Sequence, residues 1–193
     1  MGRVSRIIAG SAKGRRLATP THSRTRPTTD RVREALFSAL ESWFGTDLGL
    51  HGLSFLDLYA GSGAVGLEAA SRGADPVLLV EADRKTAELI RTNARTTGLR
   101  VEVRTARVEQ LVGAGGREFD VVWLDPPYDV GNDAVGAVIA ALTTGGWLAA
   151  SGLIVLERSS RSPEPVWPAS VAQSWSRRYG ETTLYFAELE ESR

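Results

Sequence analysis

Between residues 54 and 157 the apolar positions fall in short unbroken runs, separated by longer stretches in which apolar residues recur at helical spacing. The runs at residues 54–59, 76–80, 101–105, 119–124 and 153–157 have the length and composition of strands. Val121 to Leu124, four consecutive apolar residues, suit a central parallel strand covered on both faces. The stretches at 64–72, 84–97, 108–112 and 133–143 read as helices. Such alternation predicts a doubly wound parallel sheet that binds ligands at the C-terminal ends of its strands. Residues 171–177 and 182–189 then read as two strands around a turn at Tyr179-Gly180, an antiparallel hairpin closing the sheet.

Upstream of residue 54 the rhythm is different. Residues 4–9 are compatible with a strand, 10–14 carry turn residues, and 15–19 return as a second strand, which predicts a small hairpin. Pro27 keeps residues 24–29 extended. Thr28 or Thr29, followed by Asp30, signals a helix start, and Val32, Leu36, Ala39, Leu40 and Trp43 give that helix an apolar side to pack on the core. Gly45, Gly49 and Gly52 mark a linker. The expected division is an extension over residues 1–45 and a main domain over 46–193, which a chain of 193 residues with 42% hydrophobic content accommodates as one domain plus an appendage.

Charge adds a second asymmetry between these parts. The formal net charge is zero, yet residues 1–33 hold nine Lys and Arg against the single Asp30, net +8, which leaves −8 for the rest. A basic arm on an acidic body suits a protein that grips a polyanion at one end, and nucleic acid is the natural candidate. There is no cysteine, which excludes disulfides and thiolate metal sites, and two histidines leave little for zinc, so metal-free chemistry is expected. No apolar run approaches a membrane span and the N-terminus lacks a signal-peptide core, so a soluble cytoplasmic protein, working as a monomer, is expected.

Two loops at predicted strand ends carry the chemistry. The first, Asp57-Leu58-Tyr59-Ala60-Gly61-Ser62-Gly63-Ala64-Val65-Gly66, lets the backbone approach a ligand, and Glu81, 20 residues after Gly61, is placed to accept hydrogen bonds from a ribose diol. These glycines also spell the dinucleotide fingerprint, so an NAD-dependent oxidoreductase is a rival reading. The second loop is Asp125-Pro126-Pro127-Tyr128. Two prolines fix two φ angles and end the strand, holding a carboxylate, a carbonyl and an aromatic ring in a stiff turn. The Asp125 carboxylate and the Pro126 carbonyl suit the two hydrogens of an exocyclic amine, and Tyr128 suits a stacked base. Methyl transfer to a planar amine is the chemistry this set of groups serves.

Three features favour S-adenosylmethionine over NAD. Asp57, just before the glycine loop, attracts a cation and repels a pyrophosphate. The Asp-Pro-Pro-Tyr loop is expected beside the glycine loop in the sheet, and the closing hairpin distinguishes methyltransferase sheets from the NAD type. A DNA adenine-N(6) methyltransferase can use the same loop, although this chain has little room for a separate base-reading domain.

Arg6-Ile7-Ile8-Ala9-Gly10 with Lys13-Gly14-Arg15-Arg16-Leu17, the block from Arg26 to Phe37, the glycine loop, Asp125-Pro126-Pro127-Tyr128 and Tyr179-Gly180-Glu181-Thr182 together resemble the RsmD family of bacterial ribosomal RNA methyltransferases. The resemblance runs from Arg6 to about Leu189. It implies a Rossmann-like class I S-adenosylmethionine-dependent methyltransferase, with a mostly parallel seven-stranded sheet, a C-terminal antiparallel hairpin and a small basic hairpin and helix at the N-terminus. It implies as substrate the exocyclic amine of a guanine in 16S rRNA, within an assembled or nearly assembled 30S subunit. Carried over by position, Asp57, Ala60, Gly61, Ser62 and Gly63 line the methionine end of the cofactor, Glu81 holds the ribose, and Ala106 meets the adenine. Thr105 departs from the Asp or Asn common at its position. Asp125, Pro126, Pro127 and Tyr128 orient the guanine, while Arg6, Lys13, Arg15, Arg16, Arg24 and Arg26 are the expected RNA contacts. Asp83 is expected to cap the helix that follows it rather than to touch the cofactor.

Overall fold

The computed structural model describes residues 5–20, 29–46 and 49–189. Its centre is a seven-stranded sheet built from β3 (Phe55–Leu58), β4 (Val77–Glu81), β5 (Glu102–Thr105), β6 (Phe119–Leu124), β7 (Leu148–Ser159), β8 (Val171–Tyr179) and β9 (Thr182–Leu189). The order across it is β5-β4-β3-β6-β7-β9-β8. The first five of these strands pair in parallel, and β9 is antiparallel to both β7 and β8. This is the expected class, closing hairpin included. An NAD-binding sheet runs parallel to its last strand.

Helices α2 (Ala64–Ser71), α3 (Arg84–Thr97), α4 (Val108–Gly113) and α5 (Asn132–Thr144) connect the parallel strands. The central strands are buried on both faces, which is why their sequences are continuous apolar runs rather than alternating ones. Strand alternation sorts them into two cores. Phe55, Val77, Leu79, Val121, Trp123, Leu153 and Val155 face one side, and Leu56, Leu78, Val80, Val122, Leu124, Ile154 and Leu156 the other.

The N-terminal segment is built into this body. Strands β1 (Ser5–Arg6) and β2 (Arg16–Leu17) form a two-stranded ladder, shorter than the runs expected at 4–9 and 15–19. Its apolar residues Ile7, Ala12 and Leu17 pack against Leu67 of α2 and Ala94 of α3. Helix α1 (Asp30–Phe44) starts at Thr29, whose side chain accepts from the Val32 N–H, and stops at Gly45 in the left-handed region. Its Val32, Leu36, Phe37 and Leu40 belong to the same core as β3 and β6, and Trp43 stacks on Trp175 of β8 at 4.7 Å between ring centroids.

Two boundaries differ from expectation for identifiable reasons. Strand β7 begins at Leu148 rather than 153, because Leu148 pairs with Phe119 before an irregularity in the ladder resets the register at Val121 and Leu153. Helix α2 ends at Ser71, with Arg72 as its cap, just ahead of Gly73 in the left-handed region.

Candidate active site

The parallel register brings the predicted loops to one end of the sheet. Leu58 lies opposite both Val80 and Leu124, Leu124 lies opposite Leu156, and Glu81 lies opposite Thr105. The hydrogen bonding continues one or two residues past three of these strands. The Ala60 N–H donates to the Val80 carbonyl at 2.9 Å, that of Ala106 to the Glu81 carbonyl at 3.1 Å, and that of Asp125 to the Leu58 carbonyl at 3.5 Å. The starting points of the glycine loop, the Ala106 segment and the Asp-Pro-Pro-Tyr loop are therefore set by the sheet.

Within the glycine loop the residues have separate tasks. Tyr59 sits at φ 64°, the left-handed region that side chains other than glycine rarely adopt, and Gly61 and Gly63 follow at 56° and 80°. A Cβ on Gly61 would meet only the Tyr59 carbonyl oxygen, at 4.0 Å, so the half-buried backbone there is uncrowded. Gly66 is a packing glycine. A Cβ on it would lie 2.7 Å from the Leu79 side chain and 3.0 Å from Asp57 Oδ2.

Both carboxylates of the predicted cofactor site are held by backbone donors. Glu81 accepts from the Gly61 N–H at 2.9 Å and from the Asp83 N–H at 2.8 Å, which ties the end of β4 to the glycine loop. Asp57 lies beneath that loop, 1% exposed, and accepts from the Gly66 N–H at 2.8 Å. Burial pushes its pKa from the ordinary 3.8 up to about 7; the Gly66 hydrogen bond opposes this and the nearby Glu81 charge adds to it. A carboxylate in that condition gains from a cation brought next to it. Asp83 caps α3, accepting from the Thr86 N–H and hydroxyl at 2.8 and 2.7 Å, as expected. The hydroxyl bond first, and then the N–H bond, hold its pKa low.

At the neighbouring strand end Pro126 is buried, Asp125 and Pro127 are half-buried, and Tyr128 is 64% exposed. A pocket is lined by Asp125, Pro126 and Tyr128 together with Glu157, Arg158, Ser159 and Thr182. Glu157 has a sequence signal that went unused: it ends the apolar run of β7 as Asp125 ends that of β6. Thr105 is exposed, and its hydroxyl accepts from Arg91 at 3.2 Å.

Of the expected RNA contacts, Lys13, Arg15 and Arg16 are exposed on the hairpin. Arg6 is exposed and lies 3.7 Å from Asp30. Arg24 and Arg26 lie outside the described residues. Sequence reasoning missed what anchors this arm. Arg33, fully buried, donates to the carbonyls of Arg6 (2.8 Å) and Ala64 (3.3 Å) and to Asp30 Oδ1 (2.7 Å). Glu68, also fully buried, accepts from the Ile8 and Ala9 N–H groups at 2.7 and 2.9 Å. Asn93 accepts from the Ala18 N–H at 2.9 Å and donates to the carbonyls of Ala18 and Ser62 at 3.0 and 3.1 Å. One side chain thus joins the arm to the glycine loop. Buried polar residues on helices α1 to α3 were the available signal, and their partners are decided only by packing.

Known proteins resemble the whole of this arrangement. A family model described as Conserved hypothetical protein 95 matches residues 5–188. The chain is 36% identical over 166 residues to ribosomal RNA small subunit methyltransferase D of Escherichia coli K12, covering 86% of this chain and 80% of that relative. It is 32% identical over 182 residues to the putative rRNA methyltransferase YlbH of Bacillus subtilis, covering 92% and 95%. Among solved structures, the putative methyltransferase yhhF of Escherichia coli superposes with a TM-score of 0.84 at 30% identity, over 98% of this chain and 100% of that one. With matches of this extent, the chain belongs to the RsmD family of S-adenosylmethionine-dependent methyltransferases of small-subunit ribosomal RNA.

Proposed function

We propose that this protein methylates the exocyclic N2 amine of a guanine in 16S rRNA, on an assembled or nearly assembled 30S subunit, as a cytoplasmic monomer. In this reading residues 46–193 carry the reaction and residues 1–45 hold the RNA. The observation that carries it is the juxtaposition of the glycine loop with the Asp-Pro-Pro-Tyr loop on the paired strands β3 and β6.

The residues present fit the cofactor. The buried Asp57 carboxylate suits the cationic amino-acid end, Glu81 at the end of β4 suits the ribose hydroxyls, and in the turn from Ala60 to Gly63 the half-buried Gly61 and Ser62 supply backbone toward the ligand. Ala106, fixed to the Glu81 carbonyl, is the adenine-side contact. S-adenosylmethionine supplies an electrophilic methyl group on a sulfonium. The chain's own contribution is orientation. The Asp125 carboxylate and the Pro126 carbonyl accept the amine hydrogens and favour a pyramidal nitrogen whose lone pair is free to attack, while Tyr128 stacks on the base. With S-adenosylmethionine bound, an amine held in this way would be aimed at its methyl group, and Asp125 or water would take the proton that the nitrogen sheds. No covalent enzyme intermediate is needed.

The position of the arm supports a large folded substrate. The hairpin turn is fastened to the C-terminal end of α2, where the Ser11 N–H donates to the Ser71 carbonyl, whereas the glycine loop precedes that helix. Eight helical residues span ~12 Å. From there the arm runs back to the glycine loop, where Asn93 bonds both Ala18 and Ser62, and Lys13, Arg15 and Arg16 along it offer phosphate contacts beyond the target base itself.

The test is transfer of radiolabelled methyl from S-adenosylmethionine to unmethylated 30S subunits, deproteinised rRNA and duplex DNA, with nuclease digestion locating the label. N2-methylguanine in the RNA of 30S subunits is the expected product. Label in DNA adenine, or in free rRNA alone, would overturn the reading.

A further inference from the structure

Asp125 has a counterpart on the next strand. The apolar run Leu153 to Leu156 ends in Glu157, and because Leu124 and Leu156 are opposite one another on parallel strands, Asp125, the first residue past β6, and Glu157, still within β7, stand side by side. Neighbouring strands are ~5 Å apart. Alternation puts the two carboxylates on one face: Trp123 and Val155, two residues back, both belong to the core that includes α1, and so does Leu184, opposite Glu157 on β9. Glu157 is 9% exposed and lines the same pocket as Asp125, Pro126 and Tyr128.

We propose that Glu157 reads the Watson–Crick edge of the target base, its carboxylate accepting the N1–H of guanine while Asp125 and the Pro126 carbonyl engage the amine. The inference rests on the guanine reading above and adds what makes the site select that base. Guanine and adenine both carry an exocyclic amine, so acceptors for the amine alone do not tell them apart. Beside the amine, guanine presents a donor at N1 and adenine an acceptor. An ionised carboxylate only accepts, so Glu157 matches guanine and opposes the N1 lone pair of adenine. In a pocket where both groups have lost water, an acceptor facing an acceptor is a large penalty, and sites built around such a bond reject analogues that lack it. A hydrogen bond from N1–H to an anion also shifts electron density toward N2. The contact that selects guanine thus makes its amine a better nucleophile.

The experiment compares 30S subunits assembled on ligated 16S rRNA carrying either guanine or 2-aminopurine at the position the wild-type enzyme labels. 2-Aminopurine keeps the amine, but its N1 has no hydrogen. Wild-type kcat/KM for it is expected to be lower by about 100-fold or more. Glu157→Gln presents an amide able to donate to N1, so its rate on guanine should fall and its guanine to 2-aminopurine ratio collapse toward one, with cofactor affinity unchanged. Equal use of both bases by the wild-type enzyme would overturn the proposal, and that comparison stands even if the variant fails to fold. So would a Glu157→Gln enzyme that slows on both bases by the same factor, the mark of a structural role. Absence of label from the guanine subunits with wild-type enzyme would instead overturn the guanine reading itself.

Discussion

Asp57→Asn should make the protein more stable and less able to bind its cofactor, with the stability gain growing between about pH 4 and pH 7 and constant above that. The folded Asp57 keeps its proton up to about pH 7, whereas in the unfolded chain the same group loses it near 3.8. Between these values the folded state binds the extra proton, so raising pH through that window removes stability, and above it the loss is complete. The interval corresponds to at most about 4 kcal/mol. Asparagine keeps an oxygen to accept from the Gly66 N–H and has no charge to bury. Urea denaturation of both proteins should therefore give similar stabilities near pH 4, with the variant pulling ahead as pH rises and the difference levelling off above pH 7. Titration with S-adenosylmethionine at pH 8 should show the reverse ranking, because the variant has no anion to meet the cofactor's ammonium group. A stability difference that stays flat from pH 4 to 8 would refute the buried, protonated Asp57 and the electrostatic reason for its position.

The other expectations concern catalysis, RNA grip and the fastening of the arm. Asp125→Ala should lower the methyl transfer rate about a hundredfold or more, in line with loss of a preorganised polar contact, with cofactor affinity intact by calorimetry; unchanged turnover would remove Asp125 from the site. Arg15→Ala with Arg16→Ala should weaken RNA binding and flatten the log–log salt dependence by ~0.7 for each lost single-strand phosphate contact, and an unaltered slope would make the hairpin a bystander. Asn93→Asp turns a carboxylate toward the carbonyls of Ala18 and Ser62, so thermal melting should report a loss of about 3 kcal/mol and cofactor titration a weaker affinity. Melting and affinity equal to wild type would show that the arm and the glycine loop are not joined through this residue.

The sequence by itself determined the order of elements, the class of sheet and the loops at the C-terminal ends of its parallel strands. Unbroken apolar runs and helical spacing are local properties of the chain, and buried parallel strands leave few other ways to satisfy them. Asp125-Pro126-Pro127-Tyr128 was legible because prolines fix the backbone without help from distant residues, and Asp83 because a helix cap is satisfied within its own turn. Tertiary structure decided the rest. Among the glycines, only packing separates Gly66, crowded by Leu79 and Asp57, from Gly61, whose Cβ position meets only the Tyr59 carbonyl oxygen at 4.0 Å. Asp57 reads in sequence as a plain carboxylate before a loop, and burial makes it a group that holds its proton to about pH 7. The arm reads as a small basic hairpin, yet what fastens its backbone, Arg33, Glu68 and Asn93, lies 27 to 75 positions away. Glu157 acquires its place beside Asp125 only through the register of β6 and β7. In each case the deciding partner is remote in sequence, and the cost of burying a polar group is set by what the fold places next to it.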